Sequence, residues 1–173
     1  MKTKLPYEST GKAIKGYVDS LTAKTETNDC VVRAFASSFE VSYDSAHEFV
    51  ANKFGRKSRK GTYFTANKMA QLSEKMSEIN GKRVYPLGTK TTSFAYPFSL
   101  AYDVKVKVSG VDKLYKIVKR QMTVGTFAKK NPKGTFFVLV SRHAFTIKDG
   151  VVIGNPEDAI KTKRPIRAAF EIK

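Results

Sequence analysis

The stretch from Thr135 to Asn155 constrains the fold more than any other part of the chain. Thr135 to Ser141, His143 to Ile147 and Val151 to Asn155 are apolar-rich runs, and Asp149-Gly150 separates the last two. Such runs read as consecutive strands, and Asp-Gly between apolar segments is a hairpin signal. Two registers compete. A two-residue loop sets Ile147 opposite Val152 and mixes apolar with polar residues on each face. A three-residue loop, Lys148-Asp149-Gly150 with Gly150 left-handed, sets Ile147 opposite Val151. His143, Phe145, Ile147, Val151, Ile153 and Asn155 then share one face. Hydrophobic pattern selects register, so the second arrangement is the expected one, and it puts Asn155 across from His143.

Upstream, helical spacing dominates. Residues 1–27 are polar, carry Pro6 and Gly11, and read as an irregular arm or one short element. A helix is expected from Asn28 to about Phe39, burying Val32, Phe35, Ala36 and Phe39 on one face. A second runs from Tyr43 to Lys53 behind Ser42 as cap, and a third from Thr65 to Ile79, closed by Asn80-Gly81. Pro86, Gly88 and Pro97 make residues 82–102 a loop with brief extended pieces. Val104 to Val108 alternates as a half-buried strand, Thr123 caps a short helix through Lys130, and a last strand runs from Ile166 to Ile172. Helices precede strands, which indicates an α+β domain over residues 28–173, with N-terminal helices packed on a C-terminal antiparallel sheet.

Cys30 is the only cysteine. It follows Asn28, a potential N-cap, and Asp29, so it falls in the first turn of the expected helix. Unpaired N–H groups and the positive dipole end favour the thiolate there. Cys30, His143 and Asn155 occur in the chain order of a thiol enzyme, with His143 as base and Asn155 orienting it. Asn28 is a candidate oxyanion donor beside the Cys30 backbone N–H. Each residue also has a plainer reading: Cys30 as a small core residue, His143 as a strand-end histidine, Asn155-Pro156 as a turn, Asn28 as a cap only. His47, the other imidazole, reads as a surface or half-buried helix residue.

A lone cysteine excludes an internal disulfide framework. No apolar run reaches the length of a membrane span, and the N-terminus has no hydrophobic stretch of the signal-peptide kind, so a cytoplasmic protein is expected. No histidine–cysteine cluster suits a metal and no phosphate-binding glycine loop is present, so no cofactor is expected. The net charge of +17 points to a polyanionic neighbour, either nucleic acid or an acidic protein. The candidate anion contacts are Arg56, Lys57, Arg59 and Lys60, in a basic loop with five cations in the eight residues 53–60.

Asn28-Asp29-Cys30-Val31-Val32-Arg33-Ala34, with His143-Ala144-Phe145 and Asn155-Pro156, resembles the papain-like cysteine peptidase superfamily. The segments from Gly55 to Thr62 and from Gly125 to Gly134 look similar to small phage-encoded members, and a more distant likeness is to bacteriocin-processing peptidase domains. The likeness spans roughly residues 25–156. It implies Cys30 as nucleophile, His143 as base, Asn155 as orienting residue, a protein or peptide substrate, and the host cytoplasm for a phage-encoded protein. Two positions depart from the pattern: Lys24 stands where such enzymes usually carry an oxyanion-donating glutamine, and Val31 replaces a glycine after the cysteine. The expected function is therefore thiol hydrolysis or a related acyl transfer on an amide, isopeptide or thioester bond. The alternative is a non-catalytic basic protein that binds nucleic acid or an acidic host protein.

Overall fold

Phe35 lies at the centre of the core that organises this molecule. A computed structural model describes residues 4–93, 98–110 and 113–173; residues 1–3 of the expected arm and Pro97 lie outside them. Phe35 is 1% exposed and its ring meets Phe39, Phe49, Phe54, Phe64 and Phe137 at centroid distances of 5.1–5.8 Å. It belongs to helix α3 (Cys30–Phe39), which follows β1 (Tyr7–Ser9), α1 (Thr10–Ala13) and α2 (Leu21–Thr25). Next come α4 (Tyr43–Phe54) and α5 (Ala66–Glu74). Thr65 and Ser42 cap these last two helices, each side chain accepting from a first-turn N–H.

The remaining elements are β2 (Val84–Pro86), β3 (Thr89–Lys90), β4 (Phe98–Ser99), β5 (Ala101–Lys107), β6 (Tyr115–Gln121), α6 (Val124–Lys130), β7 (Thr135–Val140), β8 (His143–Lys148), β9 (Val151–Gly154), α7 (Pro156–Ile160) and β10 (Ala168–Ile172). A six-stranded sheet runs in the order β1-β9-β8-β7-β10-β2. Neighbours are antiparallel except β1 beside β9, which are parallel, so the sheet is mixed rather than purely antiparallel. The fold is mixed α+β.

The sheet is covered on both faces. Phe137 and Leu139 of β7 join the core built with α3, α4 and α5, while Phe136, Val138 and Val140 join a second core with Phe127 of α6 and Ala159 of α7. All six residues of β7 are buried, which is why its sequence is a continuous apolar run instead of an alternating one. Helix α3 lies between the sheet and α4, so eight of its ten residues are buried, not one face as its spacing suggests. Its polar positions are satisfied internally. Ser37 Oγ bonds the Arg33 carbonyl and meets Thr146 Oγ1 of β8 at 2.7 Å.

The fold corrects three expectations and adds two elements that they lacked. The arm over residues 1–27 supplies β1 to the sheet and Leu5 and Ile14 to the core, because isolated apolar residues in a polar stretch suffice for an edge element. Helix α5 stops at Glu74; Met76 adopts φ 49° and is 66% exposed, while Asn80 and Gly81 close a separate turn bridging Ile79 and Lys82. Strand β6 and helix α7 come from stretches without a clear period. The hairpin register is the mixed-face one: Ile147 pairs with Val152 and Lys148 with Val151 across a two-residue Asp149-Gly150 loop. Both loop residues have positive φ, 48° and 77°, the signature of a type I′ turn. Face segregation misled because β8 and β9 have no solvent face, so the turn chemistry decides the register. Asn155 consequently does not fall opposite His143.

Candidate active site

Cys30 opens α3, and its N-cap is Asp29, not Asn28. Asn28 instead adopts φ 54° in the exposed loop before the helix, a conformation that asparagine tolerates better than most residues. The Asp29 side chain makes no cap hydrogen bond. Its buried carboxylate accepts from Tyr43 Oη at 2.8 Å and pairs with Arg33 Nε at 2.9 Å, which ties the first turn of α3 to α4.

His143 opens β8, immediately after the turn at Arg142, where φ is 58°. The Cys30 thiol interacts with the His143 imidazole and with the Ala144 backbone N–H. The other side of the ring is held by an acid that was not among the expected site residues. His143 Nε2 lies 2.8 Å from Asp158 Oδ2, which leaves Nδ1 for the thiol. Asp158 is 2% exposed; the same oxygen accepts from the Asn155 backbone N–H at 2.9 Å, and Oδ1 accepts from Arg164 Nη1 at 3.2 Å.

Asn155, expected to orient His143, does not touch it. Its Oδ1 accepts from Arg33 Nη1 at 2.9 Å, and its backbone is the N-cap of α7 with Pro156 at the first helical position. The sequence did carry a signal for Asp158. Asn-Pro-Glu-Asp has a capping residue, a proline at N1 and an acid at N3, the pattern of a helix start whose N3 side chain folds back on the cap.

The electrostatics follow from these contacts. Burial alone would disfavour the Cys30 thiolate, yet the His143 hydrogen bond, the Ala144 N–H and the charges of His143 and Arg33 outweigh it and hold the thiol below its ordinary value. Burial likewise opposes a charged His143, but bonds to Asp158 and Cys30 raise its pKa to about 9. Asp158 is held below the usual carboxylate range, its own burial being overcome by His143, the Asn155 N–H and Arg164. The arrangement therefore shifts the pair toward thiolate and imidazolium, with the ring resting on a carboxylate. Cys30 and His143 border a cleft of about 390 Å³ whose walls include Val31, Thr62, Tyr63, Phe64, Val140 and Arg142.

Gly154 makes the carboxylate's approach possible. A Cβ built there would lie 2.8 Å from Asp158 Oδ2 and 2.9 Å from the Phe145 Cβ. Gly154→Ala is expected to displace Asp158 from His143, slow alkylation of Cys30 at pH 6, and cost about 1–3 kcal/mol of stability through overpacking. Unchanged alkylation in a folded variant would show that the carboxylate has room to adjust.

The basic loop divides into two kinds of residue. Lys57, Arg59 and Lys60 are exposed. Arg56 is not a surface anion contact: its side chain is 0% exposed and is held by Glu26 Oε2 at 2.7 Å, the Thr27 carbonyl at 3.0 Å, the Asn28 carbonyl at 3.2 Å and Thr62 Oγ1 at 3.2 Å. One guanidinium thus joins the segment preceding Cys30 to the loop forming the opposite cleft wall. Glu26 also faces His47 Nε2 at 3.3 Å. Burial opposes ionisation of Glu26, but the Arg59 backbone N–H and the Arg56 side chain hold its pKa down to about 2. Arg56→Ala would strand a buried carboxylate and is expected to destabilise the fold by about 3–5 kcal/mol, measured by denaturant unfolding. A loss below about 1 kcal/mol would assign the pair to the surface class.

Among the described residues, no group of three or more His, Cys, Asp or Glu is placed to hold a metal ion, and no helix is long and apolar enough to cross a membrane. Comparison with protein-family models, curated proteins and solved structures finds no match for this chain.

Proposed function

We propose that this protein is a papain-like thiol hydrolase acting on an amide, isopeptide or thioester bond of a protein or peptide substrate. The observation that supports the reading is that Cys30 and His143 line one open cleft, with His143 hydrogen-bonded to the buried Asp158. In this reaction the Cys30 thiolate attacks the carbonyl carbon, and the developing oxyanion is met by the Cys30 backbone N–H and the Asn28 amide. His143 passes its proton to the leaving amine or thiol as the acyl–sulfur bond remains. It then takes a proton from water, whose oxygen attacks the thioester, releasing the acid and restoring the ion pair. Asp158 fills the orienting role that the family resemblance gives to Asn155. Lys24, exposed on α2, offers no amide for the oxyanion, which puts more weight on the backbone donor and on Asn28.

The test is a covalent acyl-enzyme. The wild-type chain is mixed with an activated thioester or p-nitrophenyl ester and quenched in acid, and the intact mass is measured. One acyl group on Cys30, absent from Cys30→Ser and strongly reduced in His143→Ala, is the expected result. No acylation of the wild type across several acyl groups would reject the hydrolase and leave a non-catalytic basic protein.

A further inference from the structure

Strands β5 and β6 form a ribbon of their own, paired from Ala101 with Gln121 to Lys107 with Tyr115, outside the six-stranded sheet. Alternation along the strands gives the ribbon two unlike faces. Tyr102, Val104, Val106 and Val118 lie on one face and are half-buried, with the exposed Lys116 and Arg120 beside them. The other face carries Lys105, Lys107, Lys119, Tyr115, Ile117 and the single acid Asp103, and every described residue on it is exposed. Ile117 is 73% exposed and Tyr115 50%. Lys105 Nζ stands 4.8 Å from the centre of the Tyr115 ring, so cation and aromatic form one patch.

Apart from Gln121, whose amide donates to the Ile166 carbonyl at 2.7 Å, the side chains of this face are turned away from the apolar side on which the ribbon packs. This face leaves a large aliphatic and an aromatic side chain in water among lysines, on a protein of net charge +17. The sequence-based anion site at residues 56–60 is weakened by the internal use of Arg56, so the charge calls for another outlet. A two-stranded ribbon is narrow enough to enter the major groove of B-form DNA, whereas the deep, narrow major groove of A-form RNA excludes it.

We propose that the outward face of the β5–β6 ribbon binds duplex DNA through its major groove, with Lys105, Lys107 and Lys119 on backbone phosphates and Ile117 and Tyr115 against base edges. The inference is independent of the thiol reading. Phosphate contacts release counterions, so affinity falls with salt at a slope of about 0.9 per contact.

The experiment is fluorescence anisotropy of a short labelled DNA duplex with the full chain, at about 50 and 200 mM salt. The triple variant Lys105→Gln, Lys107→Gln, Lys119→Gln is expected to lower the salt slope by about 2–3 and weaken binding at least about tenfold at low salt. An equal charge change in the loop (Lys57→Gln, Arg59→Gln, Lys60→Gln) is expected to change the slope by less than about 1. Hydrogen exchange on the wild-type chain supplies a readout that needs no variant: duplex should slow exchange over residues 101–121 and leave residues 57–60 as they were. Equal losses from both triples, no slowing in the ribbon, no binding by the wild type, or tighter binding to the single strand or to polyglutamate would each overturn the proposal.

Discussion

His143→Ala is expected to slow alkylation of Cys30 by iodoacetamide at pH 6 by roughly 10–100-fold, because the thiol loses the partner that holds it ionised. Turnover of any acyl substrate should fall by roughly 10²–10⁴-fold, the usual worth of a positioned acid–base group. The pH dependence sharpens the test. In the wild type, Cys30 lies below its ordinary pKa and His143 is raised to about 9, so the ion pair persists between the lowered Cys30 value and about pH 9. Alkylation should therefore set in at lower pH in the wild type than in the variant. The stability term has a defined sign. A histidine raised from 6.5 to about 9 contributes in full below pH 6.5, and that contribution disappears as pH climbs through about 9. Melting temperature followed from pH 6 to 10 should show this alkaline loss in the wild type and not in His143→Ala. Identical alkylation profiles for the two proteins would make His143 a bystander.

Asp158→Asn should lower turnover by at least roughly tenfold while the chain stays folded, since the amide oxygen can still accept from Nε2 but a neutral group no longer balances the imidazolium charge. Asn155→Ala is the informative comparison. The Asn155 amide meets Arg33 rather than the imidazole, so its loss should cost less than about tenfold and act through the α3–α7 contact. The ratio of the two effects, read as kcat against KM, identifies the orienting residue. A larger loss from Asn155→Ala than from Asp158→Asn would return the role to Asn155.

The two arms of the candidate site differ in how they were legible. Cys30 at a helix start was readable because capping residues and a 3.6-residue apolar period act over a few neighbours. The strand bearing His143 is equally local, as are Ser42 and Thr123 as caps. The third member was not found, although Asn155-Pro156-Glu157-Asp158 carried a helix-start pattern. The face-segregated register pairs His143 with Asn155 instead, and that register requires a solvent face which this sheet lacks.

Arg56 shows the other limit. Within a run of cations it has nothing to distinguish it from Lys57, and its role depends on Glu26, thirty residues upstream, being brought beneath it. Burial of one cation among several is decided by which backbone carbonyls happen to converge, and no local period encodes that.

The sequence by itself determined the course of α3, α4, α6, β7 and β8, that the fold is α+β, and that one thiol and one strand-end imidazole are available, because these depend on short-range sterics and apolar spacing. Only the tertiary structure decided that the sheet is covered on both faces, that Asp158 and not Asn155 meets His143, and that Arg56 ties the cleft walls together. Those outcomes depend on which distant groups must share a buried space, where an ionised side chain is tolerated only beside the partner that the fold delivers.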